Sequence, residues 1–362
     1  MQSKGKIAIF SKGSANPLHP RIALELQILK ASGYDVTLFS PQNTLQSFKA
    51  LLLNLLSLSL FKWELVLEFS KLVNQFETVI IYDTQLLPLA KYRGGENKHV
   101  IFETLDDNVE LVCYHIFKKL PFLKMFESSC RKHLKKRENA YLKKYFDSTI
   151  VNSKRLLEVF NTHQPVLNYY SSPFEKSSLG SGDNDYQPAL IYLGKISADK
   201  GLSNMLGLAK KHDLKIFLFG DLDRENATAL SQEIAQYPQA VQVNKLSIEE
   251  LLIQVQKLAE AHHLIGLSLI QSVHISYKFQ DANKDIDYLA LNIPFIGNSR
   301  PTTKLIIDDG CGALINDEIK IKALIESKDQ YELAAKRCGL HYKKQYSQEQ
   351  FTSILLKVLE NN

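Results

Sequence analysis

Residues 190–201 read LIYLGKISADKG, and this stretch says most about the fold. An apolar run ends at Gly194, a loop carries Lys195 and Lys200, and apolar residues at helical spacing follow at 203–211. This order predicts a buried strand, a loop and a helix, as in a parallel sheet. Lysines and free backbone N–H groups that meet at the start of a helix favour a bound anion such as a diphosphate.

A second stretch, residues 283–290 with the sequence NKDIDYLA, predicts another helix with a different role. Asp287 lies on its opening turn, where a carboxylate can accept hydrogen bonds from a pair of sugar hydroxyls but would repel a phosphate. The two stretches together therefore predict a site for a nucleotide diphosphate sugar.

The same alternation of strand and helix runs along the whole chain of 362 residues. A length of this kind favours two domains. We predict one domain at 1–170, a linker at 171–188 and a second domain at 189–344. Predicted strands are 6–10, 35–39, 78–82, 100–102, 148–151, 190–193, 215–219, 241–243, 266–270, 294–296 and 313–315.

The composition indicates a globular protein, with 45% hydrophobic and 23% charged residues. The four cysteines form no Cys-x-x-Cys pair, so neither a zinc site nor a disulfide framework is expected. The N-terminal residues run into a strand without an apolar stretch of signal-peptide length, which predicts a cytoplasmic protein.

The basic residues are concentrated in one segment, 118–144, which holds ten Lys and Arg against two Glu. Apolar residues are interleaved with them, as in helices that lie on membranes. An anionic membrane surface is therefore a candidate partner, which would place the protein peripherally at the inner face of the membrane. A solvated helix face is the alternative. No nucleic-acid partner is expected, because the segment has neither a helix-turn-helix nor an aromatic-rich strand pattern.

These motifs resemble those of GT-B glycosyltransferases, and the similarity is closest to the large retaining family 4. The loop pattern G-[RK]-x-x-x-x-K-G of that family matches residues 194–201, and its N-K-x-x-E-Y-M-A segment matches 283–290. Residues 291–296, LNIPFI, match its A-G-x-P-V-I, and 310–312 match a G-x-G before a strand. The resemblance implies an α/β fold with two Rossmann-like parallel-sheet domains facing a cleft. The N-terminal domain, 1–170, would be the acceptor domain, completed by a C-terminal helix at 345–362 that packs back on it, and 189–344 would be the donor domain.

The resemblance also implies donor-binding residues in the second domain. Asp221 and Asp223 spell the D-x-D of metal-dependent enzymes, but they follow Gly220 and better fit the GT-B turn beside the nucleotide, so no metal and no other cofactor is expected. His274 in the same region is more simply a structural histidine. The expected donor-binding residues are Gly194, Lys195, Lys200, Gly220, Asp221, Lys278, Asn283, Lys284 and Asp287.

The first domain offers two groups of candidates. Glu103, Asp106 and Asp107 follow a predicted parallel strand, where α/β sheets build ligand sites, and are candidate catalytic residues or acceptor contacts. Capping of the next helix is the alternative for the two aspartates. The first strand-to-helix loop would meet the acceptor or the donor phosphate, unless its residues only shape the turn; its candidates are Gly13, Ser14, Asn16, His19 and Arg21.

Three departures from the family pattern affect the chemistry. Asp287 replaces the usual Glu, Phe279 stands at an earlier Glu, and Leu105 stands where the first domain often has a His. We expect transfer of a sugar from a nucleotide diphosphate sugar to a hydroxyl of a glycan or lipid-linked acceptor, with retention, in bacterial surface polysaccharide synthesis. The alternatives are a catalytically degenerate GT-B partner subunit and a nucleotide-sugar 2-epimerase.

Overall fold

Two parallel β-sheets organise the chain in a computed structural model that describes residues 3–13, 18–41, 60–95, 98–175, 186–271 and 283–360. Each sheet belongs to its own compact unit. The first unit comprises Met1–Tyr169 and Phe351–Asn362, and the second comprises Tyr170–Gln350.

The first sheet has six strands within the described residues, in the order β2-β1-β3-β4-β5-β6, and every pair is parallel. Its strands are β1 Lys6–Phe10, β2 Asp35–Phe39, β3 Thr78–Tyr82, β4 His99–Thr104, β5 Ser148–Val151 and β6 Val166–Leu167. Its helices are α1 Pro20–Ala31, α2 Trp63–Phe69, α3 Asn108–Lys119, α4 Glu127–Tyr145, α5 Lys154–Val159 and the C-terminal α13 Gln348–Glu360.

Both faces of the first sheet are covered, because successive side chains of a strand point to opposite faces. Ile7 and Ile9 of β1 share a core with Phe351 and Leu355 of α13. Ala8 and Phe10 share the opposite core with α2. The predicted packing of the C-terminal helix on the first domain is thus confirmed.

The second sheet also has six described strands, in the order β12-β11-β10-β7-β8-β9, again all parallel. Its strands are β7 Pro188–Leu193, β8 Ile216–Phe219, β9 Ala240–Val243, β10 His263–Ser268, β11 Phe295–Gly297 and β12 Gly312–Leu314. Its helices are α6 Leu202–Lys211, α7 Ala227–Ala235, α8 Ile248–Ala261, α9 Asn283–Ala290, α10 Pro301–Ile306, α11 Glu318–Glu326 and α12 Lys328–Gln345.

The predicted fold class is confirmed. Most strands lie where the sequence places them, but β10 begins three residues before the predicted 266 and β6 was not predicted. Among the described residues, no helix is long and apolar enough to span a membrane.

Candidate functional site

The second sheet reverses its strand order between β7 and β10, which are neighbours although they are far apart in sequence. The connection from β7 leads to β8 on one side, whereas β10 continues to β11 on the other. A parallel sheet opens a crevice at the carboxyl ends of such strands, and ligands bind there. The loops after β7 and β10 and the start of α9 therefore define the candidate site.

The loop after β7 is closed by backbone contacts that need glycine. Gly220 has φ of 149°, and a Cβ there would overlap the carbonyl oxygen of Gly194. The backbone N–H of Ile196 donates to the carbonyl oxygen of Asp221 at 2.9 Å, which ties the loop after β7 to the loop after β8. This tight packing directs the exposed side chain of Lys195 into an ion pair with Asp223.

Lys200 ends a short 3-10 turn, Ala198–Lys200, immediately before α6. Gly201 has φ of 86°, and a Cβ there would overlap the carbonyl oxygen of Leu269, just after β10. The turn therefore lies against the end of β10, within the crevice. Burial lowers the pKa of Lys200 to about 8; Asp199 opposes this shift, and the charges of Arg300 and Lys195 favour it.

Lys284 on α9 approaches the same place from the other side. Its Nζ donates to the Tyr192 hydroxyl at 2.9 Å and lies 4.0 Å from the centre of that ring. The Tyr192 hydroxyl in turn donates to the carbonyl oxygen of Lys195 at 2.8 Å. Burial lowers the pKa of Lys284 to about 7, and the positive charge of Lys200 lowers it further. The two lysines are thus close enough to repel each other.

Arg300 adds a third cation that the sequence analysis missed. It follows β11 and lowers the pKa values of both Lys200 and Lys284. Its Nη2 donates to Asp285 at 2.9 Å and to Ser268 at 3.0 Å, and Thr303 donates to Asp285 at 2.6 Å. Asp285 is 2% exposed, so this carboxylate holds the guanidinium in place from the interior. The position of Arg300 shortly after the predicted strand 294–296 was the sequence signal that could have identified it.

Asp287 lies two residues after Asp285 on α9 and contacts different residues. Its Oδ1 accepts hydrogen bonds from Ser172 at 2.7 Å and from Tyr170 at 3.3 Å. Burial raises the pKa of Asp287 to about 7, although both hydrogen bonds and the charge of Lys284 oppose the shift. The side chain remains partly exposed, so it can still meet a ligand.

Tyr288 fastens α9 to both strands of the crevice. The backbone N–H of Leu193 donates to its hydroxyl, which itself lies 3.2 Å from the carbonyl oxygens of Ile191 and Leu267. Gly266 leaves room for the ring, since a Cβ there would lie 2.7 Å from it. Lys284 and Asp287 are therefore held by a rigid helix.

The remaining donor candidates lie at the margin of this cluster. Asn283 is exposed at the first position of α9. The carboxylate of Asp221 accepts from the backbone N–H of Lys245 at 3.0 Å and thus shapes the loop after β9. Lys278 and His274 lie outside the described residues.

In the first unit, polar side chains meet beyond the ends of β1, β3 and β4. Lys12 Nζ lies 3.2 Å from Asp83 and 3.3 Å from the side-chain oxygen of Asn108. Burial raises the pKa of Asp106 to about 6, and the negative charge of Asp83 raises it further. Among the residues that the structure describes, none forms a hydrogen bond with the buried Oδ1 atom of Asp106. Asp106, which is half-buried, therefore remains a candidate contact for the acceptor.

Asp83 has an unusual backbone, with φ of 68° and ψ of 147°. For a residue other than glycine such a conformation costs on the order of 1–3 kcal/mol, and it is often found at functional sites. Sequence reasoning missed Lys12, Asp83 and Asn108, because each is an ordinary polar residue after a strand.

Glu103 and Arg21 are placed differently from the prediction. Glu103 is 0% exposed and Arg21 is 1% exposed, and they form an ion pair with each other. Arg21 also lies 3.4 Å from buried Glu25 and donates to the carbonyl oxygen of Asn168 at 2.8 Å. This placement corrects the candidate roles of both residues: the pair belongs to the interior, because neither charge is accessible to a substrate.

The other first-unit candidates have mainly local roles. Asp107 caps α3, accepting from the backbone N–H of Glu110 at 3.2 Å, and forms an ion pair with Lys135. His19 caps α1, and burial together with the charge of Arg21 lowers its pKa. Gly13 is exposed in the turn after β1, where its N–H donates to the Ser11 hydroxyl. Ser14 and Asn16 lie outside the described residues.

No group of His, Cys, Asp and Glu within the described ranges has an arrangement that could hold a metal ion. The positive charge of the second-unit site comes from side chains.

The fold is similar to those of solved glycosyltransferases. The lipopolysaccharide outer core galactosyltransferase WaaB matches with a TM-score of 0.61 at 12% identity, covering 98% of this chain and 99% of that chain. HepE of Anabaena, solved with UDP and glucose, matches with a TM-score of 0.65 at 11% identity, covering 99% and 100%. WaaG, a glycosyltransferase of lipopolysaccharide biosynthesis, matches with a TM-score of 0.63 at 12% identity, covering 98% and 100%.

These similarities show that the chain has the GT-B fold. No protein-family model matches the sequence, and no curated protein is significantly similar to it.

Proposed function

We propose that the protein is a glycosyltransferase that takes a sugar from a nucleotide diphosphate sugar and transfers it to a hydroxyl of a glycan or lipid-linked acceptor. The observation that carries this proposal is the convergence of Lys200, Lys284 and Arg300 at the carboxyl ends of β7, β10 and β11. Three cations at a switch point, with a partly buried carboxylate beside them, suit a diphosphate and a ribose.

The chemistry follows from the charge that develops as the sugar leaves. Cleavage of the bond between the anomeric carbon and the diphosphate oxygen leaves an extra negative charge on the diphosphate. Lys200 and Lys284 have lowered pKa values because each is partly desolvated and near other cations. An arriving diphosphate removes that repulsion, so both lysines become fully charged when the leaving group needs them.

Asp287 suits the ribose hydroxyls, and Asp106 is the candidate acceptor contact. We propose that the reaction needs no metal, because side-chain cations can stabilise the leaving diphosphate. Retention of configuration and a role in bacterial surface polysaccharide synthesis are further parts of the proposal. The fold similarity to WaaB and WaaG, whose names refer to lipopolysaccharide, supports the polysaccharide role.

The test is incubation of the purified protein with a panel of nucleotide sugars, followed by detection of released nucleoside diphosphate. We expect slow donor hydrolysis with at least one donor. Lys200→Ala should lower that rate by about 30- to 1000-fold, because a charge-assisted contact worth roughly 2–4 kcal/mol is lost. The matched control is Lys210→Ala, which replaces an exposed lysine in the last turn of α6.

Other outcomes assign the protein differently. Interconversion of donor sugars would indicate a 2-epimerase, and binding without turnover would indicate a degenerate partner subunit. A Lys200→Ala rate within threefold of the parent would remove Lys200 from the proposed site.

A further inference from the structure

The turn between α3 and α4 exposes a set of large apolar side chains. It is a short 3-10 segment, Pro121–Phe126, that contains no buried residue. Phe122 is 74% exposed, Met125 80%, Phe126 53% and the preceding Leu120 40%. Single exposed apolar residues are ordinary on protein surfaces, but four within seven positions mark an interaction site. We call these four side chains the apolar tip.

The apolar tip is presented by an ordered turn. Leu123, in the middle of the segment, packs against the buried cluster that includes Cys113 and Leu134 of the flanking helices. Its backbone N–H donates to the carbonyl oxygen of Leu120 at 3.0 Å. Because Leu123 is turned inward, its neighbours on both sides project outward.

Four exposed lysines lie in the turn or within six residues of the apolar tip in sequence. Lys118, Lys119, Lys124 and Lys132 are all exposed. Among the residues that the structure describes, none of these four lies within ion-pair distance of a carboxylate, and Lys118 lies over the ring of Tyr114. The turn therefore presents an apolar end with exposed positive charge close to it in sequence.

Two other cations of the basic segment, Arg131 and Lys135, behave differently. Arg131 forms ion pairs with Glu110 at 2.6 Å and with Glu127 at 2.8 Å. Lys135 pairs with buried Glu138 at 2.8 Å and with Asp107 at 3.1 Å. These two cations tie α4 to α3 and are occupied within the protein, whereas Lys136, Lys143 and Lys144 are exposed farther along α4.

We propose that the apolar tip inserts into an anionic membrane surface while the four lysines contact lipid headgroups. Charge complementarity identifies the partner, since exposed lysines next to apolar side chains match anionic headgroups above acyl chains. A single-stranded nucleic acid would also attract the lysines, but its bases stack on flat rings, and two of the four side chains of the tip, Met125 and Leu120, have none. This inference does not depend on the proposed glycosyl transfer.

Vesicle sedimentation with the full chain tests the apolar contribution. Vesicles of phosphatidylglycerol and phosphatidylcholine should bind the protein more tightly than phosphatidylcholine alone. Phe122→Ser, Met125→Ser and Phe126→Ser together should reduce binding at least tenfold. The matched control replaces exposed apolar residues of the second unit, Ile319, Ile253 and Leu340, with Ser, and binding should be unchanged.

A second variant tests the lysines. Each lysine near an anionic surface contributes about fivefold to partitioning, so Gln at all four should reduce binding by more than about a hundredfold. Four exposed lysines elsewhere supply the charge-matched control: Lys210, Lys257, Lys322 and Lys343. Binding should also fade near 0.5 M salt, where the Debye length falls to about 4 Å.

Some results would overturn the proposal. Equal sedimentation with neutral vesicles, or none with either kind, would contradict an anionic membrane partner. So would equal losses in the test and control variants. Tighter binding to single-stranded RNA than to vesicles, lost in the apolar variant, would assign the surface to nucleic acid. Circular dichroism of each variant confirms that it is folded before its binding is compared.

Discussion

At the scale of single residues, Asp287 and Asp285 are expected to have different roles. Asp287 should bind the ligand, whereas Asp285 should support the site. Asp287→Asn keeps the shape of the side chain but removes the negative charge that strengthens hydrogen bonds accepted from ribose hydroxyls. We expect nucleotide affinity to fall by roughly 1–3 kcal/mol, to a similar extent for different sugars on one base. Calorimetric titration with UDP and GDP measures it.

The neighbouring Asp285→Asn is the comparison. Asp285 is buried against Arg300 at 2.9 Å, so its loss leaves a guanidinium without its carboxylate. Breaking such a pair costs about 3–5 kcal/mol of unfolding free energy, which denaturant titration would detect. Unchanged nucleotide affinity in Asp287→Asn with only a lower melting temperature would contradict a ligand role for Asp287.

The lowered pKa values of Lys200 and Lys284 predict that the protein takes up protons when a nucleotide binds. A bound diphosphate should raise the pKa values of Lys200, about 8, and Lys284, about 7, toward those of ordinary lysines. The bound state then holds more protons than the free state, so affinity should fall as pH rises from about 7 toward 10. At pH 8.5 the free protein already has Asp287 ionised, because the pKa of that carboxyl is about 7.

Calorimetry at pH 8.5 in buffers of different ionisation enthalpy measures the effect. We expect uptake of about one proton or more per nucleotide bound. Lys284→Arg should reduce the uptake, since arginine is charged throughout this range. The same binding enthalpy in every buffer would show that neither lysine changes its protonation.

Sequence reasoning found those residues of the second-unit site that lie in a contiguous motif. Lys195, Lys200, Lys284 and Asp287 belong to such stretches. Tyr170 and Ser172 could not be found in this way, because they meet Asp287 from more than a hundred positions away. The role predicted for Glu103 was wrong because all six residues of β4 are buried and Glu103 pairs with Arg21. The sequence alone shows neither the burial nor a partner that lies 82 positions away.

At the scale of elements, α13 should be essential for the first sheet. Leu355 is 0% exposed and packs in the core that contains Ile7 and Ile9. Leu355→Ala should lower the unfolding free energy by about 2–5 kcal/mol, because it removes apolar contacts and leaves a cavity. Amides of β1 should exchange faster with solvent in hydrogen-exchange measurements.

Ser353→Ala, on the exposed side of the same helix, is the control for Leu355→Ala and should change little. An increase in exchange confined to β7 and β10 would show that α13 supports a different sheet.

The periodicity of the sequence predicted most elements because buried parallel strands are continuous apolar runs. The start of β10 was placed too late because it begins with His263, a polar residue type that here is buried. β6 has only two residues, Val166–Leu167, and so carries no periodic signal.

At the scale of the whole molecule, we expect donor hydrolysis to persist after chelation of divalent ions with EDTA. Lys200, Lys284 and Arg300 would carry the positive charge that a metal supplies in D-x-D enzymes. The measurement is the rate of nucleoside diphosphate release with and without EDTA. A loss of activity that Mn²⁺ or Mg²⁺ restores would show that a metal takes part.

The composition of the first unit also sets an order of events during synthesis. Residues 351–359 complete its core, yet they are translated after the whole of the second unit, Tyr170–Gln350. Domains commonly fold in the order in which they leave the ribosome. In this chain the later unit can finish first, while the face of the earlier sheet that carries Ile7 and Ile9 waits for its covering helix. Chaperones that shield apolar surface should therefore associate with nascent chains from β1 onward until α13 has emerged, and a premature stop codon just before Phe351 should damage the unit made first.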